Sequence, residues 1–489
     1  MITFISSIIL LILAYFTYGK IIEKIFMPKV DRPTPAYSKR DDIDYLPMNK
    51  GKNSLIQLLN IAGTGPIFGP IMGALYGPVA FVWIVIGCIF AGAVHDYLTG
   101  MISIRNGGSH LPQLAGKFLG KVMKHLVNFF SILLLVLVGT VFIVTPADLL
   151  NDLMNGKVVF GIILAVIFGY YFLSTILPID KIIGKLYPIL GAILIISAVG
   201  IGASLIITGA EIPELTFENM HPGGAAIFPL LFLTISCGAI SGFHATQTPL
   251  ISRTMKNEKE GRFTFYGMMI AEGIIAMIWA AATMSFFDGQ TLQEVLNTVG
   301  PAGVVKEISI SMLGAVGGTL AVLGAIVLPI TSGDTAFRAA RNIIADYLKF
   351  PQVKVVNRLL IAVPLFVIAF ILTKIDFTLL WRYFSFANQS IAMLALWVGA
   401  MYLVIKKRNH WVATIPAIFL TSVVFTYILN AEIGFNLNMN VSIIGSLIIT
   451  AIIIGLFIYK AKANIKEQLV VDEEVEMNET IPEEARKIG

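Results

Sequence analysis

The chain has 489 residues, of which 56% are hydrophobic and only 13% are Asp, Glu, Lys or Arg, about half the charged share of a soluble domain. That composition excludes a water-soluble fold. The formal charge of +5 is dispersed through short segments and leaves no electrostatic footprint for nucleic acid. Cys88 and Cys237 both lie inside apolar stretches, which argues against a disulfide scaffold. The histidines are scattered and show no metal-ligand spacing, so no cofactor is expected.

Apolar runs of about 17 to 25 residues match the length a helix needs to cross roughly 30 Å of hydrocarbon. About thirteen such runs predict an all-α, polytopic membrane protein. They cover residues 2–19, 54–76, 78–100, 126–147, 158–177, 186–208, 226–250, 264–286, 308–332, 357–373, 383–405, 411–430 and 440–459. The first lacks a basic flank and a small-residue cleavage site, and reads as a retained helix rather than a signal peptide.

Short cytoplasmic loops collect Lys and Arg, and the basic residues here fall in alternate loops. Lys24 to Lys52, then Arg105, Lys117 and Lys121, then Lys181 and Lys185, then Arg253 to Arg262 share one side. Arg338, Arg341 and Lys349, then Lys406 to Arg408, and Lys460 to Lys466 continue the series. The intervening loops hold Asp148 and Asp152, Glu211 to Glu218, Asp288 and Glu294, and Glu432. The alternation predicts a plasma-membrane protein with its amino terminus outside and its carboxyl terminus in the cytoplasm.

The order divides into a first helix and a proline-containing cytoplasmic segment (1–53), a ten-helix transporter core (54–405), two peripheral helices (406–460) and an acidic cytoplasmic tail (461–489). The segment after the first helix is expected to lie along the surface. The tail, rich in acids and without aromatic residues, is expected to be solvated.

The informative helices are those that look badly made. The run at 54–76 contains IAGTGPIFGPIMG, in which glycine relaxes the backbone and proline removes an amide donor. In lipid, unpaired backbone is tolerated only against protein or a water-lined cavity. The run is therefore expected to be central and unwound near 63–66, with close packing through small residues as the alternative. The run at 226–250 repeats the anomaly in SCGAISGFHATQTP, where Ser241, His244 and Gln247 add polar groups that are costly in hydrocarbon. A third intrusion, LPITSGDTAFRAAR, places Asp334 and Arg338 four residues apart on one helical face.

Counted from residue 54, the first and sixth members of the ten-helix block are both interrupted and run in opposite directions. This resembles the five-plus-five inverted repeat of sodium-coupled amino-acid transporters, in which discontinuous helices surround a midplane substrate. Thr331 and Ser332 end the eighth member, where two-sodium members of that superfamily place hydroxyls of a cation site.

AGTGPIFGP from Ala62, GAVHDYLTG from Gly92, RNGGSHLP from Arg105, SGFHATQTP from Ser241 and TSGDTAFRAAR from Thr331 together closely resemble the carbon starvation protein A family over most of residues 50–400. The resemblance implies uptake of small carbon and nitrogen sources, with pyruvate and small peptides as the substrate classes, and leans toward proton coupling. A sodium-coupled importer and a membrane nutrient sensor without net transport are the alternatives. An enzyme is not expected, and no feature of the chain indicates an oligomeric state.

Substrate contacts are expected from Gly63, Thr64 and Gly65 and from Ser241, His244 and Gln247, because freed amides at half-helix starts bind carboxylates. His244 has a second reading as a tautomer-fixed core residue. His95 and Asp96 read either as coupling or gating residues or as a structural polar cluster. Asp334 and Arg338 read either as a state-dependent pair or as membrane-boundary anchors. Thr331 and Ser332 are the residues nearest a sodium site. Besides substrate and a coupling proton or sodium, membrane lipid is the expected partner.

Overall fold

The computed structural model describes residues 1–154, 156–177 and 179–473, with 179–188 and 378 by backbone alone. Among these residues the protein is all helical, and its one strand-like contact is an isolated parallel bridge between Met48 and Met255. Ten helices are long and apolar enough to cross a membrane, eleven if one bent pair forms a single span. The difference from about thirteen has a local cause at two places. The run at 158–177 forms a shorter apolar helix, Phe160–Ile176, and the run at 226–250 is divided into pieces.

In chain order the helices are α1 (Ile2–Phe26), α2 (Lys50–Ala62), α3 (Gly65–Tyr76), α4 (Val79–Arg105), α5 (Leu111–Leu119), α6 (Lys121–Leu153), α7 (Phe160–Ile176) and α8 (Ile179–Ile207). They continue with α9 (Gly242–Ser252), α10 (Glu258–Phe286), α11 (Gly289–Leu348), α12 (Val355–Leu372), α13 (Phe377–Ile405), α14 (Trp411–Asn430) and α15 (Met439–Lys466). α11 is not one rod. Gly300 (φ 67°) and Gly314 (φ 68°) leave the helical region and turn it twice.

Burial sorts the helices. In their most apolar windows, α4 is 83% and α13 89% buried against the rest of the protein, whereas α15 is 22% buried. Ile444, Ile448, Ile452 and Leu456 of α15 are all exposed, and such an apolar face is at home only against lipid. α6 and α11 form the most extensive helix pair at the centre.

The segment between α1 and α2 does not simply lie along the surface. Thr34 Oγ1 donates to the Met255 carbonyl at 2.5 Å, and Asp44, 7% exposed, lies 3.2 Å from Arg338 and 3.4 Å from Arg341. The start of the tail is also docked. Asp472 meets Lys406 Nζ at 2.7 Å and accepts from Tyr402 Oη at 2.9 Å, while Glu473 lies 3.0 Å from Lys39. The rest of the acidic tail, 474–489, is outside the described residues.

Candidate functional site

Two interruptions meet at the centre. Between α2 and α3 the chain turns by 43°. Gly63 takes φ 45° and ψ −152° there, a conformation that side chains rarely adopt. The break leaves backbone groups without helical partners, and α11 supplies them. Ser332 Oγ accepts from the Gly63 amide at 2.9 Å and donates to the Leu59 carbonyl at 2.9 Å. Thr331 Oγ1 lies 3.0 Å from that same carbonyl. Thr331 and Ser332 thus sit against the broken span.

The second interruption separates the short helical pieces at Ile227–Leu231 and Phe232–Thr234 from α9, with Gly238 at φ 87° inside it. Asn388 of α13 closes the exposed start of α9. Its Oδ1 accepts from the Phe243 amide at 2.7 Å and from Ser241 Oγ at 3.0 Å. Orphan amides at a helix start are normally satisfied by such a side-chain oxygen. Ser241 is therefore tied to this cap, while the Thr64 hydroxyl at the first break has no hydrogen bond to the described residues.

A chain of ionisable groups crosses beside the second break. Asp96 lies 2.8 Å from His95 Nδ1 through Oδ1 and 2.9 Å from His244 Nδ1 through Oδ2. His244 Nε2 lies 3.3 Å from Glu272 Oε2 on α10. His95 is 1% exposed, and Asp96, His244 and Glu272 are 0% exposed. With the Nδ1 proton directed at Asp96, the Nε2 lone pair of a neutral His244 faces a carboxylate. Two acceptors at that separation repel each other unless a proton or another cation lies between them.

Glu272 was absent from the residues expected from sequence. Its signal lies in the sequence: it is the lone acid in the apolar run 264–286, and an ionisable residue inside a span is a candidate functional residue. The expectation of no cofactor needs correction for the same reason. Cys237, His244 and Glu272, all buried, bring one ligand atom each to within 4.8 Å of one another. Sulfur, imidazole nitrogen and carboxylate oxygen form a ligand set that transition metals accept. The spacing of the histidines concealed it because Cys237 and His244 share one interrupted run while the third ligand, Glu272, comes from the next.

Other expected groupings are resolved differently. Arg338 does not pair with Asp334 one turn away. It reaches Asp44 at 3.2 Å and the carbonyls of Ser174 and Leu177, whereas Asp334 accepts from Tyr170 Oη at 2.7 Å. Gln247 Nε2 donates to Thr246 Oγ1 at 3.0 Å, and its Oε1 has no hydrogen bond to the described residues. On the side bearing the Glu211–Glu218 loop there is a cavity of about 420 Å³, lined in part by Tyr76 at the end of α3, Thr234 before the second interruption, Trp381 and Arg382. Trp381 also packs against Phe68 of α3, with ring centroids 6.2 Å apart. On the opposite side, Arg105 and Glu258 form a buried pair at 2.9 Å.

The family model described as carbon starvation protein CstA matches residues 1–220, 161–295 and 289–427. An uncharacterised membrane protein of Haemophilus influenzae is 47% identical, across 61% of this chain and 94% of that protein. The peptide transporter CstA of Escherichia coli is 23% identical across 85% of this chain and 79% of its own. The pyruvate/proton symporter BtsT of the same organism is 27% identical across 61% and 51%. Among solved structures, a mutant of the Eremococcus coleocola manganese transporter matches with a TM-score of 0.57 at 13% identity, covering 86% of this chain and 94% of that one. That likeness is one of fold. The relatives support secondary transport by a multi-pass plasma-membrane protein and give no support to catalysis. On the family match, this chain belongs to the carbon starvation protein CstA family.

Proposed function

We propose that the protein imports pyruvate or small peptides by alternating access, driven by an ion gradient, with protons as the coupling ion. The observation that carries this reading is the buried series His95, Asp96, His244 and Glu272, which runs beside the break where the two interrupted spans meet. A proton exchanged along it changes the charge at the break, and so biases which side of the protein opens. The names of the two Escherichia coli relatives, one a peptide transporter and one a pyruvate/proton symporter, support the substrate classes and the ion.

In this reading residues 54–405 form a ten-span, five-plus-five core within a chain of about thirteen spans. The amino terminus is outside and the tail is cytoplasmic, as the loop charges favour. Gly63, Thr64, Gly65, His244 and Gln247 meet the substrate, Ser241 shapes its cap, and the cavity at Trp381 is the outer approach. Asp334 and Arg338 act through their separate contacts as parts of the inner gate.

Purified full-length protein in proteoliposomes tests the proposal, with pyruvate and several di- and tripeptides as substrates. An inward acid gradient in sodium-free vesicles should drive accumulation, accompanied by substrate-dependent proton entry. Binding without accumulation would leave a sensor instead. A sodium-coupled reading has one observation in its favour, the convergence of Thr331 and Ser332 on the Leu59 carbonyl. It would prevail if sodium drove uptake without proton flux and Thr331→Ala and Ser332→Ala selectively abolished it.

A further inference from the structure

The half-helix α2 carries a row of polar side chains that the ionisable series does not use. Asn53, Gln57 and Asn60 are spaced by four and three residues and so share one face. All three are fully buried. Asn53 Oδ1 accepts a hydrogen bond from Thr254 Oγ1 at 2.7 Å, tethering the end of this face remote from the break to the residues just beyond α9.

That tether sets the register between the two half-helices. α2 runs toward the first break and α9 runs away from the second, so they are antiparallel. Moving inward from Asn53 to Asn60 and from Thr254 to Gln247 covers the same number of residues on each, about two turns. Asn60 and Gln247 therefore lie at one depth, with Gln57 a turn below.

The amides at this depth are not satisfied among the described residues. Gln57 Nε2 and Oε1, Asn60 Nδ2 and Oδ1, and Gln247 Oε1 form no hydrogen bond with the described residues. A buried polar group without a partner costs stability, and native proteins keep few of them. Here they belong to two half-helices packed against each other beside the breaks, an arrangement that packing alone does not call for.

We propose that Gln57, Asn60 and Gln247 form a carboxamide subsite on the inner side of the two breaks, where it binds a small carboxylate that also carries N–H donors. The inference rests on the import reading for its ligand class. Side-chain amide N–H groups of Gln57 and Asn60 donate to the carboxylate, and the three amide oxygens accept from ligand N–H groups. A keto acid offers acceptors only and would leave those oxygens unpaired, which is the kind of mismatch a hydrogen-bonding site discriminates against most strongly.

The test uses full-length protein with Gln57→Met or Asn60→Leu, near-isosteric changes that remove the polar atoms. Affinity for alanyl-alanine and for pyruvate is measured by calorimetry, alongside thermal unfolding and vesicle uptake. Because neither side chain has a hydrogen-bond partner to lose among the described residues, the unfolding temperature should hold or rise. Alanyl-alanine affinity should fall about tenfold or more, and pyruvate affinity should change less. Dipeptide affinity within about twofold of wild type in both variants, a fall in unfolding temperature, or no dipeptide binding by the wild type would each overturn the subsite. Wild-type binding without uptake would defeat the import reading and leave the subsite standing. Wild-type uptake with unchanged affinity in the variants would do the reverse.

Discussion

Gly65 of α3 and Cys237 of the second interruption approach so closely that a Cβ on the glycine would overlap the Cβ and Sγ of the cysteine. Here the backbone of one broken span meets the cysteine side chain of the other, and the contact fixes their spacing at the proposed substrate site. Gly65→Val should reach the membrane and lose nearly all uptake, because the branched side chain must push the spans apart, an overpacking cost of about 1–3 kcal/mol. Cys237→Gly removes the opposing atoms, and combined with Gly65→Ala it should recover uptake relative to Gly65→Ala alone. Uptake measured per molecule of inserted protein decides the matter. Normal transport by Gly65→Val would remove this contact from the constriction.

Asn388 offers a second, more local prediction. Its Oδ1 serves both the Phe243 amide and the Ser241 hydroxyl, so Asn388→Ala leaves the start of α9 without its cap. Loss of a cap costs about 0.5–2 kcal/mol. Thermal unfolding in detergent should show the loss. Asn388→Asp, which keeps the acceptor, should be the milder change at the cap itself while adding a buried charge.

The contrast between those residues and others explains what was readable in the chain. Gly63 and Gly238 announced the breaks because glycine and proline act on the backbone locally, and local effects survive in a linear sequence. The proximity of His244 to Glu272 did not, since it depends on how α9 packs against α10. Arg338 shows the opposite error. Its spacing from Asp334 suits a helical pair, but Asp44, remote in sequence, competes for the guanidinium and receives it at 3.2 Å. Gln57 and Asn60 carry no motif, since two amides on an apolar helix have no distinctive pattern, and their isolation depends on the packing of their neighbours.

Asp44 also sets a pH dependence. Burial pushes its carboxyl pKa up, but Arg341, Arg338 and Arg253 outweigh burial and hold it at about 2, below the roughly 3.9 of an unfolded aspartate. The unfolded chain therefore binds this proton first as pH falls, and the ionised form stabilises the fold. That contribution is complete above about pH 5 and is lost progressively as the pH falls toward about 2. Asp44→Asn should destabilise at neutral pH by about 3–5 kcal/mol, because it strands two buried guanidinium groups. It should also flatten the acid limb of the wild-type stability curve. Unfolding temperatures of both proteins between neutrality and pH 3 provide the check, and parallel curves would show that another carboxylate governs that limb.

The grouping of Cys237, His244 and Glu272 predicts sensitivity to thiophilic divalent cations. Asp96 accepts from His244 Nδ1, leaving Nε2 directed toward Glu272, and a carboxylate behind the imidazole is the usual support for a metal-bound histidine. A thiolate among the ligands favours zinc or cobalt(II) over magnesium and calcium, which prefer oxygen. Zinc should therefore displace the proton shared near His244 and Glu272 and slow substrate uptake, while magnesium at the same concentration should have no effect. Cobalt(II) gives a readout independent of transport, since a thiolate ligand to it produces a charge-transfer absorption in the purified protein. Cys237→Ser should remove that absorption and relieve zinc inhibition while leaving uptake in metal-free buffer close to wild type, because the hydroxyl fits where the thiol does. Glu272→Gln should also weaken zinc binding. Because the same carboxylate belongs to the buried ionisable series, this variant should in addition lose substrate-linked proton entry. The two variants thus separate the metal from the proton at one site. Zinc inhibition that survives Cys237→Ser, with no cobalt–thiolate absorption in the wild type, would place the metal elsewhere on the protein.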